Sequence, residues 1–257
     1  MMKIGKHFLL CFTSILLVFA QDSLKAQSDE EKVGRAAAAQ VLGAAGLINT
    51  EASQQYLNLL GQSLAAKGDA VYRWRFGVIE SNAINAFAMP GGYILVSTGL
   101  LKNLENEDEL AFILAHEIAH VSRRHHYQVI LRQRLAEQAS KDLQSAVQGD
   151  EIGKLALASG QIYARGLDKG AEFEADRLGV EIMTRAGYDP VAALNVIERL
   201  LRLKGSDPRA ELLFSTHPSP AERLDMLLQS GLEKLPRPSI EGSTSRQARF
   251  KKFAQGL

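Results

Sequence analysis

Leu110-Ala111-Phe112-Ile113-Leu114-Ala115-His116-Glu117-Ile118-Ala119-His120-Val121 is apolar almost all the way round a helix, apart from three ionisable residues. Such a helix belongs inside a core, and burying His116, Glu117 and His120 there is costly unless each finds a partner. The histidines are four residues apart, so both imidazoles leave the same face and can share one ion. Glu117 lies one step round the helix, where its carboxylate reaches a water on that ion. This is the H-E-x-x-H arrangement, two zinc ligands and a general base. Just upstream, Asn106 can cap the helix, and Glu107, Asp108 and Glu109 suit the positive end of its dipole.

A catalytic zinc needs a third protein ligand and one open position. Among the other histidines, His7 lies in the N-terminal segment read below as a signal peptide. His125 and His126 follow Arg123-Arg124 where the helix turns polar, and read as solvated surface. No H-x-x-G-x-x-H extension follows His120, which excludes a third histidine of the metzincin kind. The missing ligand is therefore expected from a carboxylate on another helix. Glu172-Phe173-Glu174-Ala175-Asp176 supplies two on one face, Glu172 and Asp176. One can take the metal while the other holds the free N–H of a ligating histidine.

Upstream, the pattern changes to strands. Val71–Ile79 alternates and is rich in Val, Tyr, Trp and Phe, Asn85–Met89 is a second candidate, and Pro90-Gly91-Gly92 turns the chain into Tyr93–Ser97. Asp29–Ala45 and Glu51–Lys67 read as helices before them. Further helices are expected over Gln128–Gln148, Ile152–Gly166, Lys169–Ala186, Pro190–Lys204 and Pro220–Ser230, with Ser145–Gly153 as a polar connection. Pro236–Leu257 carries Pro, Ser, Gly and five basic residues and reads as a loosely ordered tail. The fold class is α+β, mostly helical, with a small, partly antiparallel sheet beside the histidine helix.

At the N-terminus, Lys3 and Lys6 precede the apolar run Phe8–Ala20, and small residues at Val18-Phe19-Ala20 and at Ala26 offer exits. This is the form of a secretory signal peptide over 1–26, cleaved after Ala20 or Ala26, leaving 27–235 as the folded domain and 236–257 as the tail. An uncleaved membrane anchor is the alternative. Cys11 is the sole cysteine and lies inside the apolar run, so the exported part relies on its core rather than on disulfides. Of the 257 residues, 46% are hydrophobic, which argues against disorder. Lys+Arg 30 against Asp+Glu 29 gives a nucleic acid no electrostatic foothold.

The segments Ala115–His120, Glu172–Gly179 and Thr216-His217-Pro218, with Asn85–Tyr93 upstream, resemble zinc metallopeptidases of the HtpX, OMA and CAAX-prenyl-protease type. The likeness runs from about Glu30 to Leu228 and is strongest to the short soluble periplasmic branch, the BepA-like and LoiP-like proteins. The resemblance implies one Zn2+ per chain held by His116, His120 and Glu172, with Glu117 activating water and Asp176 supporting the site. It also implies that Asn85, Ala86, Phe87 and Ala88 form an exposed edge that binds a substrate peptide as an added strand. His217 and Arg223 match a histidine and an arginine near the metal. For His217 three roles stay open: a fourth ligand that keeps the enzyme latent, a donor to the transition state, or a loop residue capping a helix. The implied function is a periplasmic zinc endopeptidase acting on misfolded or stalled envelope proteins, with an outer-membrane assembly machinery as a partner. A chaperone-like factor using the same groove, or a membrane-tethered protease, are the rival readings.

Overall fold

A computed structural model describes residues 29–69, 72–146 and 167–257. The expected signal segment, the helix over Ile152–Gly166 and most of the connection before it lie outside these residues. Helix α1 spans 29–44 and α2 spans Glu51–Ala65. Strands β1 (Arg75–Ile79), β2 (Ala86–Met89) and β3 (Tyr93–Ser97) follow, then a short α3 over Thr98–Leu101. The remaining helices are α4 (Glu107–Ser122), α5 (His125–Ala146), α6 (Lys169–Arg185), α7 (Ala192–Leu203), α8 (Glu211–Thr216), α9 (Pro220–Gln229) and α10 (Ile240–Ala254). Among the described residues no helix is long and apolar enough to cross a membrane.

The sheet has three strands in the order β1-β3-β2, with β1 parallel and β2 antiparallel to β3. Gly91 and Gly92 make the β2–β3 turn possible, with φ of 77° and 93°, values that a side chain would strain. Successive residues face opposite ways. Ala86, Ala88, Ile94 and Val96 join the main core, whereas Phe87, Met89, Tyr93 and Leu95 pack with Ala37, Ala38 and Val41 of α1. β2 is thus an edge strand in its hydrogen bonding, but it is not exposed as expected: Ala86, Ala88 and Met89 are buried and Asn85 is wholly inside. The reason is that α1 covers one face of the strand and the α4 side of the core covers the other.

Helix α4 runs through the centre, against α2, β2, α6, α7 and α10, with Leu110, Phe112, Leu114 and Ile118 fully buried. Asn106 caps it as expected, accepting from the Glu109 N–H at 2.9 Å. The acidic first turn is not solvated. Arg199 grips Glu109 bidentately at 3.0 and 2.9 Å, Arg246 lies 3.1 Å from Asp108, and Arg249 donates to Glu107 at 2.6 Å. Two of these arginines come from the segment expected to be a loose tail. That expectation is corrected: Ile240–Ala254 is a helix capped by Ser239, with Phe250 and Phe253 buried and Phe253 stacked on Tyr56 at 4.3 Å. Arg246 and Arg249, which resemble a loose tail in composition, are counter-charges for the buried Asp108 and Glu107.

Candidate metal centre

Helix α4 presents His116 and His120 one turn apart, and α6 crosses it to bring Glu172 opposite. The Nε2 atoms of the two histidines are 2.9 Å apart, and the Glu172 carboxylate oxygens lie 3.7 Å from His116 Nε2 and 3.4 Å from His120 Nε2. Ligands about 2.0–2.1 Å from a tetrahedral zinc are roughly 3.3 Å from one another, so the three groups fit a single ion. His217 joins them, and one ligand atom from each of the four lies within 4.8 Å of the others. Loop geometry places it: His217 ends α8, and Ser219, left-handed at φ 62° between two prolines, starts α9. Its Nδ1 is 3.2 Å from Glu172 Oε1 and its Nε2 is 3.7 Å from Glu117 Oε1. Glu117 is buried, and its Oε2 has no hydrogen-bond partner among the described residues. A buried carboxylate oxygen without a partner beside a metal-sized cluster is placed to take a proton.

The two α6 carboxylates are distinguished by the tertiary structure. Glu172 faces both Nε2 atoms, while Asp176 Oδ1 lies 3.0 Å from Nδ1 of His116. Arg223, in the first turn of α9, donates to both Asp176 oxygens at 2.7 Å and lies 2.9 Å from Glu172 Oε2. Burial pushes both acids up, but His217 and Arg223 outweigh it at Glu172, and Arg223 and His116 outweigh it at Asp176. Both carboxyls end below their ordinary range. Burial and the neighbouring histidines drive His120 well below its ordinary value, so it is the neutral imidazole that a metal requires.

Gly179 sets the approach of the two helices. A Cβ there would stand 3.1 Å from the His116 nitrogen and 3.2 Å from its Cα, backbone atoms that cannot rotate aside. Ala at 179 would regain up to about 1 kcal/mol of helix propensity and mask the strain, so Gly179→Val is the sharper test. It is expected to lower stability towards the upper end of the roughly 1–3 kcal/mol typical of overpacking, and to weaken metal retention against a chelator. A melting curve and metal retention equal to those of the unaltered chain would show the contact to be slack.

His116, Glu117, His120, Glu172, Asp176, His217 and Arg223 all meet at one place. Asn85 does not sit on an open surface. Its N–H donates to Ser97 Oγ at 3.2 Å and its C=O accepts from the Ser97 N–H at 3.1 Å, while its side-chain amide has no partner among the described residues. His125, read as solvated, is buried, and His126 is half-buried with its ring 5.4 Å from that of His120. Nothing periodic in the sequence signals this. It depends on Arg124 adopting a left-handed φ of 59°, which folds α5 back under the end of α4.

The chain is 32% identical over 195 residues to the beta-barrel assembly-enhancing protease of Escherichia coli (strain K12), covering 72% of this chain and 40% of that protein. Its counterpart in Yersinia pestis is 31% identical over 216 residues, 78% of this chain and 43% of the relative. The mitochondrial metalloendopeptidase OMA1 of Schizosaccharomyces pombe is 32% identical over 193 residues, 73% and 54% of the respective chains. This chain therefore spans about two fifths to one half of the length of these relatives. The family model described as peptidase family M48 matches residues 51–230, and with that match over most of its length the chain belongs to peptidase family M48.

Proposed function

We propose that the protein is a zinc-dependent endopeptidase of the periplasm, hydrolysing peptide bonds of misfolded or stalled envelope proteins. The convergence of His116, His120 and Glu172 beside the unpartnered carboxylate oxygen of Glu117 carries this reading. His116, His120 and Glu172 would hold one Zn2+ per chain, which when bound acidifies a water towards a pKa of about 7 and polarises the scissile carbonyl. Glu117 accepts the proton of the attacking water and passes it to the leaving amine. Asp176 fixes the tautomer of His116 through Nδ1, and Arg223 holds Asp176 and Glu172 in place.

The substrate is proposed to add to β2. Asn85 and Ser97 form a hydrogen-bonded pair, so by antiparallel alternation Ala86 and Ala88 turn their backbone N–H and C=O groups away from β3. That edge has no strand partner among the described residues; Ala86 and Ala88 are buried as whole residues, so an added strand needs the elements covering this edge to part. The bacterial relatives are named for enhancing beta-barrel assembly, which supports an assembly machinery as a partner.

Metal content and casein hydrolysis of the purified full chain test the reading together. One zinc per chain, with hydrolysis lost on chelation and restored by zinc, is the expected result; hydrolysis that survives complete metal removal would overturn it. For His217, its place within ligand distance of the cluster supports the latch. His217→Ala is expected to raise casein hydrolysis and self-cleavage, whereas a fall in kcat of about a hundredfold or more would assign it to transition-state stabilisation instead.

A further inference from the structure

The two histidines of α4 are held differently at their outer nitrogens. Asp176 stands directly on Nδ1 of His116, at 3.0 Å. Nδ1 of His120 instead meets Nδ1 of His125 at 2.9 Å, and Nε2 of His125 lies 3.3 Å from Oε2 of Glu174. The other oxygen of Glu174 is 3.0 Å from Nε of Arg123, at the end of α4. His120 and His125 are buried, whereas the Glu174 side chain is 41% exposed. These contacts run in a line from the centre of the site to the surface.

The directions of these bonds follow from the nitrogen that must stay bare. With Nε2 of His120 turned to the other ligands, its proton sits on Nδ1 and is donated to His125. Nδ1 of His125 then has to be the acceptor, so its own proton lies on Nε2 and is donated to Glu174. The backbone is built for this contact. Arg124 takes a left-handed φ of 59°, and its guanidinium is held by the buried Glu30 of α1, with Nε 2.8 Å from Oε2, and rests over the Tyr127 ring at 4.8 Å. A left-handed arginine is unfavourable by itself, and these contacts offset that cost at the residue that brings His125 back to His120.

We propose that His125, oriented by Glu174, is a positioning residue for the metal. It locks His120 with Nε2 towards the ion, the task proposed above for Asp176 at His116. The inference rests on the zinc reading above.

The test is the zinc affinity of the full chain, measured by competition with a chromogenic chelator, alongside thermal melts of the zinc-free proteins. Partners of this kind typically contribute 10–100-fold in metal affinity, so His125→Ala is expected to weaken zinc binding by about that factor. His125→Asn, whose carbonyl oxygen can accept near the position of Nδ1, is expected to recover most of the loss. Glu174→Ala is expected to weaken binding by a smaller factor, with its zinc-free melt unchanged. His125→Ala binding zinc as tightly as the unaltered chain would overturn the proposal, and so would His125→Asn binding as weakly as His125→Ala. Should His125→Ala fail to fold, Glu174→Ala decides, and an unchanged affinity there overturns the proposal. An unaltered chain that binds no zinc would instead overturn the metallopeptidase reading itself, before any variant is compared.

Discussion

Glu117→Gln is expected to lower kcat for casein or a peptide by about 10²–10⁴-fold, the range that a positioned general base contributes, with zinc content unchanged. The amide keeps the volume and the helix, so the fold of α4 is preserved, but it cannot take a proton at pH 7. Glu117 stands outside the cluster of His116, His120, Glu172 and His217 that could hold a metal, which is why metal retention would separate a base at Glu117 from a ligand. Its Oε2 has no partner to satisfy among the described residues, and His217 Nε2 faces the other oxygen at 3.7 Å. A zinc-loaded Glu117→Gln protein that hydrolyses casein at the unaltered rate would remove Glu117 from the chemistry. The same variant decides between cleavage and binding in the cell. If it repairs the envelope defect of a deletion strain as well as the unaltered protein does, the groove acts mainly as a chaperone.

Arg223→Met carries the largest expected effect on stability. The substitution keeps an unbranched side chain of similar length but leaves Asp176 and Glu172, both buried, without their common cation. Breaking a buried pair from one side costs about 3–5 kcal/mol, roughly 10 °C in Tm for a domain of this size. Adding Asp176→Asn to the variant is expected to return part of the loss, because one of the two stranded charges is then gone. The measurement is best made on zinc-free protein, so that no metal compensates the acids. pH adds a check with a defined sign. In the unaltered chain Arg223 and His116 hold the Asp176 carboxyl below its ordinary range despite burial. The stability from that interaction is fully present above the unfolded carboxyl's pKa of about 3.9 and is lost as pH falls through the lower folded value. Without Arg223, burial dominates and raises the folded value, so protonation relieves the variant as the solution is acidified. The gap in Tm between the two proteins should therefore be widest near neutral pH and narrow towards about pH 4. A gap that stays constant over this range would show that the lost stability is packing rather than charge.

Much of the site was legible because its parts are local. An apolar helix broken only by His116, Glu117 and His120 puts both imidazoles on one face with a carboxylate beside them, and Glu172 and Asp176 share a face by helical spacing alone. The strands were legible from alternation, and the observed β2 and β3 differ from the expected segments by no more than a residue. The errors lie where a buried charge is satisfied from far along the chain. Arg246 and Arg249 look like a soluble tail until Asp108 and Glu107 are seen to need them. His125 looks like surface until one left-handed residue, Arg124, reverses the chain.

Side-chain periodicity and residue chemistry were enough to define the mostly helical α+β class, the paired histidines with Glu117 beside them, and the two candidate carboxylates. Those properties depend on spacings of a turn or less. Only the tertiary structure gave the contacts themselves: Glu172 faces the Nε2 atoms, Asp176 lies beside Nδ1 of His116, Arg223 pairs with both carboxylates, and His217 enters the cluster from the α8–α9 loop. It also decided that β2 is an edge in its hydrogen bonding and yet buried. These outcomes depend on desolvation. A charge removed from water must be met by a partner within a few ångströms, and the pairing of segments fifty to a hundred and forty residues apart is settled only when the helices pack.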